Sequence, residues 1–286
     1  MEIIKMIEAM RAFTRAARAA GKTVGFVPTM GALHEGHATL IKRCAAECGT
    51  TVVSIFVNPA QFDREEDLVK YPRTLETDAV ICQGHGADAV FAPDEKEMYR
   101  GGSMVLVDMA IFADKLCGIT RPGHFRGVML VVAKLFNIVQ PDAAYFGEKD
   151  YQQLTIIRQL VRDLNFPVRI VPVPLVREVD GLALSSRNKR LTPKERETAL
   201  KLSQALMGIK KRIDEAEGKH ADLPTVSELL AEYAEELVSD PAIELDYFDA
   251  VDAETLTDVT EVRKGMVFAL AAWVGQTRLI DNWIYR

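Results

Sequence analysis

The sequence predicts an α/β fold: a parallel sheet flanked by helices, followed by a smaller α+β unit. Three observations carry this. Over the first two-thirds of the 286 residues, apolar β-branched runs alternate with segments of helical period, the pattern of βαβ units around a parallel sheet. The run TVVSIFV (residues 51–57) is nearly continuous in its apolar character, as a strand buried on both faces requires. After residue 191 the composition shifts to long charged helices and then three short strand-like runs.

The elements follow in order. TVGFVPT (23–29) reads as the first strand, with a helix over about 35–48 behind it. The strand at 51–57 leads through the loop NPAQF to a helix over 75–85 and the strand ADAVFAP (87–93). A further apolar run, SMVLVD (103–108), precedes GITRPGHFRG (118–127), a Gly, Pro and Arg segment without period and therefore a loop, before the apolar helix 128–139. PDAAYFG (141–147) and VRIVPVP (168–174) read as two more buried strands around a helix over 151–164. Thr192, Pro193 and Glu195 form an N-cap, first helical position and N3 acid, a capping box that opens a long amphipathic helix. A second helix over 225–238 and strands at 243–251, 265–274 and 277–285 complete the chain. The composition shift places a first domain over 1–180 and a second over 181–286.

Composition narrows the function classes. Hydrophobic residues make up 48% and charged residues 27%, the balance of a globular protein with a sizeable core. The net charge of −6 and the absence of a basic stripe argue against nucleic acid as partner. The N-terminal 26 residues have helical apolar spacing, but charges interrupt it too often for a leader or a membrane span, so a cytoplasmic location is expected. Cys44, Cys48, Cys82 and Cys117 form neither a CxxC pair nor a zinc spacing, and read as buried, reduced small hydrophobes.

The chain has five histidines, and two of them stand in VPTMGALHEGHATLI (27–41). His34 and His37 share one face of a helix that starts where the first strand ends. A helix N-terminus is a region of positive potential with unpaired N–H groups, so phosphate is the natural guest, and both imidazoles can donate to it. Gly36 between them lets a ligand approach the backbone. The spacing excludes the HExxH zinc motif. His-x-Gly-His arises by chance in roughly 1 of 200 chains of this composition, so the motif draws its weight from its setting at the carboxyl end of a strand.

Strand, His-x-Gly-His and helix resemble the nucleotidyl-transferring α/β superfamily of class I aminoacyl-tRNA synthetases and adenylyltransferases, which implies a Rossmann-like sheet. LALSSRNKRL (182–191) stands where that superfamily has its second phosphate-binding loop, with Ser185, Ser186 and Arg187 as donors. A narrower resemblance spans nearly the whole chain: PTMGALHEGH, FVNPAQF, YPRT, RPGHFRGV, YFGEKDYQQL and LSSRN occur in the order of the pantothenate synthetase family. The resemblance implies an ATP-dependent ligase that condenses pantoate with β-alanine through pantoyl adenylate, releasing pyrophosphate and AMP, with Mg2+ accompanying ATP. It implies catalytic roles for His34, His37, Lys149 and Arg187. ATP would lie along Met30, Gly31, Ala32, Leu33, His34, Glu35, Gly36 and His37, with Gly147, Glu148, Lys149, Asp150, Val176, Leu184, Ser185, Ser186 and Arg187. Pantoate and β-alanine would meet Asn58, Gln61, Phe62, Met30 and Gln153, and Asp78 would be a metal ligand, although Thr77 breaks the acidic pair the family has there. His124 is open between a substrate gate and a turn residue. The resemblance further implies a homodimer, with the strand at 51–57 compatible with an interface; the attachment of the C-terminal unit directly after Ser185 and Ser186 suggests that it closes as a lid. Another adenylyltransferase, a tRNA synthetase and an ATP sensor without turnover are the rival readings.

Overall fold

The computed structural model describes residues 1–102, 105–109 and 111–286. Its elements are β1 (Glu2–Ile4), α1 (Ile7–Ala19), β2 (Val24–Thr29), α2 (Glu35–Glu47), β3 (Thr50–Ile55), α3 (Glu65–Lys70), α4 (Leu75–Gly84), β4 (Ala89–Phe91), α5 (Glu95–Met98), α6 (Cys117–Thr120), α7 (His124–Val139), β5 (Ala143–Gly147), α8 (Tyr151–Asp163), β6 (Arg169–Val173), α9 (Pro193–Gly218), α10 (Val226–Val238), β7 (Ile243–Asp252), β8 (Met266–Val274) and β9 (Thr277–Tyr285). The expected α/β class holds. Of the apolar run at 103–108, Ser103 and Met104 lie outside the described residues, and 105–108 form no strand.

The chain divides into two compact units. The first comprises Met1–Ala113, Arg121–Glu148 and Ile156–Pro174; the second comprises Asp114–Thr120, Lys149–Thr155 and Leu175–Arg286. The last crossing therefore falls at Pro174/Leu175 rather than at 180/181, and two short segments that sequence places in the first domain group with the second. A composition shift marks where helices become charged, not where packing partners change.

In the first unit six parallel strands run in the order β1-β4-β3-β2-β5-β6. The chain leaves β2 toward β3 on one side and returns to β5 on the other, so the carboxyl ends of β2 and β5 flank a topological switch point, where open α/β sheets bind ligands. The core packs Val27, Val53, Val90, Tyr145 and Val171 from the sheet against Ile41 and Cys44 of α2. At Gly25 a Cβ would lie 2.3 Å from Cys44 Sγ and 2.7 Å from Cys48 Sγ, so glycine is what lets α2 sit this close to β2. Burial pushes the Cys44 and Cys82 thiols up to about 12, in keeping with packing rather than reactivity. β3 is interior, hydrogen-bonded to β2 and β4, with residues 50–54 buried within this one chain. Within the run at 51–57 only Ile55 and Val57 are half-buried rather than buried.

The second unit is an antiparallel sheet, β7-β8-β9, backed by α9 and α10. Leu202, Leu206, Ile209 and Ile213 fall on one stripe of α9 and pack with Phe268, Leu270 and Ala272 of β8. Thr192 and Glu195 form the expected capping box of α9, and Thr225 with Glu228 repeats it at α10.

Candidate active site

β2 ends at Thr29, and the chain turns through residues 30–33 into α2. Gly31 and Ala32 both take left-handed backbone, with φ of 84° and 51°. A non-glycine residue there needs support, and Asp78 of α4 provides it. Its Oδ2 accepts the Ala32 N–H at 2.9 Å and its Oδ1 the Leu33 N–H at 2.8 Å, while Thr74 Oγ1 donates to Oδ2 at 3.1 Å. Asp78 is 1% exposed, so these donors replace water around the carboxylate. The expected metal-ligand role does not fit. Both oxygens are turned to the loop, and among the described residues no group of three or more His, Cys, Asp or Glu side chains could hold a metal ion.

The turn delivers two imidazoles to the start of a 13-residue helix. The His34 and His37 rings lie 4.1 Å apart between centroids. The His34 backbone N–H donates to His37 Nδ1 at 3.3 Å. A nitrogen that accepts carries no proton, so neutral His37 bears its proton on Nε2, and the ring is a donor at the helix N-terminus. A Cβ on Gly36 would come within 3.0 Å of the His34 ring, so the glycine makes room for that ring as well as for a ligand.

Gln61 is brought to the same loop. Its Nε2 donates to Met30 Sδ at 3.0 Å and its Oε1 accepts from Asn58 Nδ2 at 3.0 Å, which leaves one amide N–H and one lone pair for a ligand among the described contacts. Asn58, expected to touch substrate, is 1% exposed with both ends of its side chain engaged: Nδ2 also donates to the Gly127 carbonyl at 3.1 Å, and Oδ1 accepts from Tyr99 OH at 2.7 Å. It positions Gln61 instead. α7 begins at His124, four residues earlier than expected, and His124 Nδ1 meets the Gln61 carbonyl at 2.7 Å while Nε2 meets Arg121 Nη1 at 3.2 Å. Arginine can only donate, so Nε2 accepts and Nδ1–H points to Gln61. Arg121 is in turn held by Asp63 at 3.1 Å, and the pair keeps the Asp63 carboxyl low against the opposing effect of burial. Phe62 packs edge-on against Tyr71, with ring centroids 5.7 Å apart.

In the second unit, Lys149 occupies the 3-10 turn Glu148–Asp150 that follows Gly147 at the end of β5. Its side chain is 18% exposed, with Nζ 3.7 Å from Asp150. The Val176 carbonyl accepts the Leu184 N–H at 3.0 Å, and the next residue, Ser185, caps the 3-10 turn Ser186–Arg190 by accepting the Arg187 N–H at 3.2 Å. That bond uses a lone pair of Ser185 and leaves its hydroxyl proton for a ligand. Asn188 anchors the turn by donating to Glu178 and the Ala183 carbonyl. Gln153 is half-buried on α8, whereas its neighbour Gln152 is buried and ties down the Lys115 carbonyl at 2.6 Å.

The model of the family described as pantoate–β-alanine ligase matches residues 2–284. The chain belongs to the pantoate–β-alanine ligase family. It is a ligase that joins pantoate and β-alanine to pantothenate using ATP. It is 49% identical to the pantothenate synthetase of Moorella thermoacetica, over 99% of this chain and 98% of that one. The pantothenate synthetase of Heliobacterium modesticaldum is 47% identical, with 99% of both chains covered. Among solved structures, the enzyme of Thermus thermophilus superposes with a TM-score of 0.90 at 44% identity, covering 99% of both chains. That of Francisella tularensis, complexed with β,γ-ATP and β-alanine, gives 0.81 at 35% identity, covering 100% of this chain and 98% of that one.

Within this ligase family frame, the structure brings His34, His37, Met30 and Gln61 together in the first unit, and orders Lys149 and the Ser185–Arg187 residues in the second. Sequence reasoning assigned Asp78 and Asn58 to ligands and overlooked Asn282, whose amide holds the Lys149 carbonyl at 2.8 Å. The available signal was the polar pair Asp281–Asn282 inside an otherwise alternating strand, where both residues are buried.

Proposed function

We propose that the ligation proceeds in two steps through pantoyl adenylate. A pantoate carboxylate oxygen attacks the α-phosphorus of ATP, the bond from that phosphorus to the bridging oxygen breaks, and pyrophosphate leaves with the electron pair. The β-alanine amine then attacks the acyl carbon, AMP departs, and the amide forms with loss of a proton. No enzyme nucleophile is required, so the work is positioning and stabilising negative charge.

The residues suit that division of labour. His37 Nε2–H, with His34 and the N-terminus of α2, donates to phosphate oxygens. Lys149 and Arg187 add positive charge, and the Ser185 and Ser186 hydroxyls hold the outer phosphates. Gly147 and Asp150 face the ribose, and Val176 with Leu184 the adenine. Gln61 and Gln153 donate to pantoate oxygens without adding charge, while Met30 and Phe62 line its methyl groups. Among the described residues no group of three or more His, Cys, Asp or Glu side chains offers Mg2+ a ligand set, so on this reading the ion travels with ATP through phosphates and water. The family resemblance supports a cytoplasmic homodimer working on soluble substrates. Light scattering in line with gel filtration tests the dimer.

The observation that carries the reading is the His34 N–H to His37 Nδ1 hydrogen bond, which presents a proton donor at a helix N-terminus. Exchange of labelled pyrophosphate into ATP tests it. Exchange that requires pantoate and proceeds without β-alanine is the expected result. Exchange that appears only once β-alanine is added would remove the separate first step.

A further inference from the structure

Lys149 stands in a three-residue turn, too short to hold its own orientation through helical hydrogen bonds. Its backbone is fastened from β9 of the same unit. Asn282 Nδ2 donates to the Lys149 carbonyl at 2.8 Å, and Asn282 is 6% exposed. Asn282 is itself immobilised: its N–H donates to Asp281 Oδ1 at 2.7 Å, and its carbonyl accepts Arg177 Nη2 at 3.3 Å. Asp281, 4% exposed, takes Arg177 in a fork of 2.7 and 2.9 Å. Arg177 closes the frame by donating to the Gly181 carbonyl at 3.0 Å, within the bridged segment that leads to Ser185. Burial pushes the Asp281 carboxyl up, and Arg177, the Asn282 N–H and then Lys149 offset part of that rise. A bidentate pair is a stiff support, because both groups lose their freedom together.

We propose that Asn282, backed by the Asp281–Arg177 pair, is a positioning residue for Lys149 in the adenylation step. This rests on the role given to Lys149 above. Asn282 touches no substrate on this reading. It fixes the backbone from which the ammonium reaches the reacting phosphate, and a small misplacement of such a group lowers the rate without loosening substrate binding.

The test compares Lys149→Ala, Asn282→Ala and the double variant by pantoate-dependent pyrophosphate release, with thermal melting alongside. Asn282→Ala is expected to lower kcat about tenfold, or about 1.4 kcal/mol, with KM for pantoate changed by less than about twofold. In the Lys149→Ala background the same substitution is expected to change the rate by less than about twofold, because the group it positions is gone. A purely structural role would lower melting temperature and rate alike in both backgrounds, and a tenfold loss that persists without Lys149 overturns the proposal. A slow Lys149→Ala enzyme beside an unimpaired Asn282→Ala enzyme overturns the positioning role alone. A Lys149→Ala enzyme as fast as the parent removes the role of Lys149 and the positioning role with it. If Asn282→Ala does not fold, Asn282→Asp keeps the volume while removing the donors, and the same comparison decides.

Discussion

Replacing Asp78 by Asn separates support of the histidine loop from metal binding with one atom changed. The carboxylate accepts at both oxygens, from Ala32 N–H and Thr74 Oγ1 at one and Leu33 N–H at the other. An amide has one oxygen, so its NH2 must face either Ala32 or Leu33. Thr74 can turn its hydroxyl to accept, but the backbone N–H cannot. One buried donor is left unmet, at about 1–3 kcal/mol, and the remaining bonds lose their charge assistance, which brings the total to about 2–4 kcal/mol. Those bonds hold Ala32 at a φ of 51°, a conformation with its own cost of order 1–3 kcal/mol, so the loop relaxes. At about 2–4 °C per kcal/mol for a domain of this size, Asp78→Asn melts about 4–16 °C lower. His34 and His37 follow the loop, so pyrophosphate release slows as well. The assay is a thermal melt with pyrophosphate release across a magnesium titration. An unchanged melting temperature, with activity restored by raised magnesium, would refute this reasoning and return Asp78 to the metal.

Three further outcomes follow from single contacts. His37→Ala removes a donor aimed at developing charge and lowers kcat by about 100-fold to 1000-fold with the circular dichroism spectrum intact; full activity would contradict the role. Gly127→Ala places a Cβ 2.1 Å from the Ala60 carbonyl oxygen, so the turn carrying Gln61 must shift; KM for pantoate is expected to rise several-fold, about 1 kcal/mol or more, measured by steady-state kinetics. For Asp252, burial raises the carboxyl, but hydrogen bonds from the Thr255 and Glu254 N–H groups and from Arg263 outweigh it and bring the value down to about 2. A depressed carboxylate stabilises the fold above its unfolded value near 3.8 and loses that contribution as pH falls toward about 2. Acid titration of Asp252→Asn should therefore show a shallower loss of stability between those values, by about 1–2 kcal/mol.

How much of this was legible in the sequence depends on whether a feature is local. β2, the turn and α2 could be read because strand character, Gly31 and the apolar period of the helix lie within about twenty residues, and the Thr192 capping box is set by three positions. β1 could not, since three residues at the sheet edge become a strand only by pairing with β4. The segment at 118–127 lacks an apolar period because its Gly and Arg residues are chosen for other tasks: Gly123 takes φ 82° to enter α7, and Gly127 clears the Ala60 carbonyl. Asp78 and Asn58 carry residue types that suit a ligand, and only the fold shows that backbone N–H groups, Tyr99 and Gln61 have taken their polar atoms. Asn282 lies 133 positions from the lysine it holds, a separation that no local pattern encodes.

The central claim is that pantoate attacks phosphorus to form an acyl adenylate, and oxygen labelling tests it most directly. With both carboxylate oxygens of pantoate labelled as oxygen-18, complete turnover with ATP and β-alanine is followed by mass spectrometry of the nucleotide. The account predicts one labelled oxygen in the phosphate of AMP, because the oxygen that bonded to phosphorus stays there when the amine takes the acyl group. Unlabelled AMP, or label recovered in inorganic phosphate beside ADP, would contradict it.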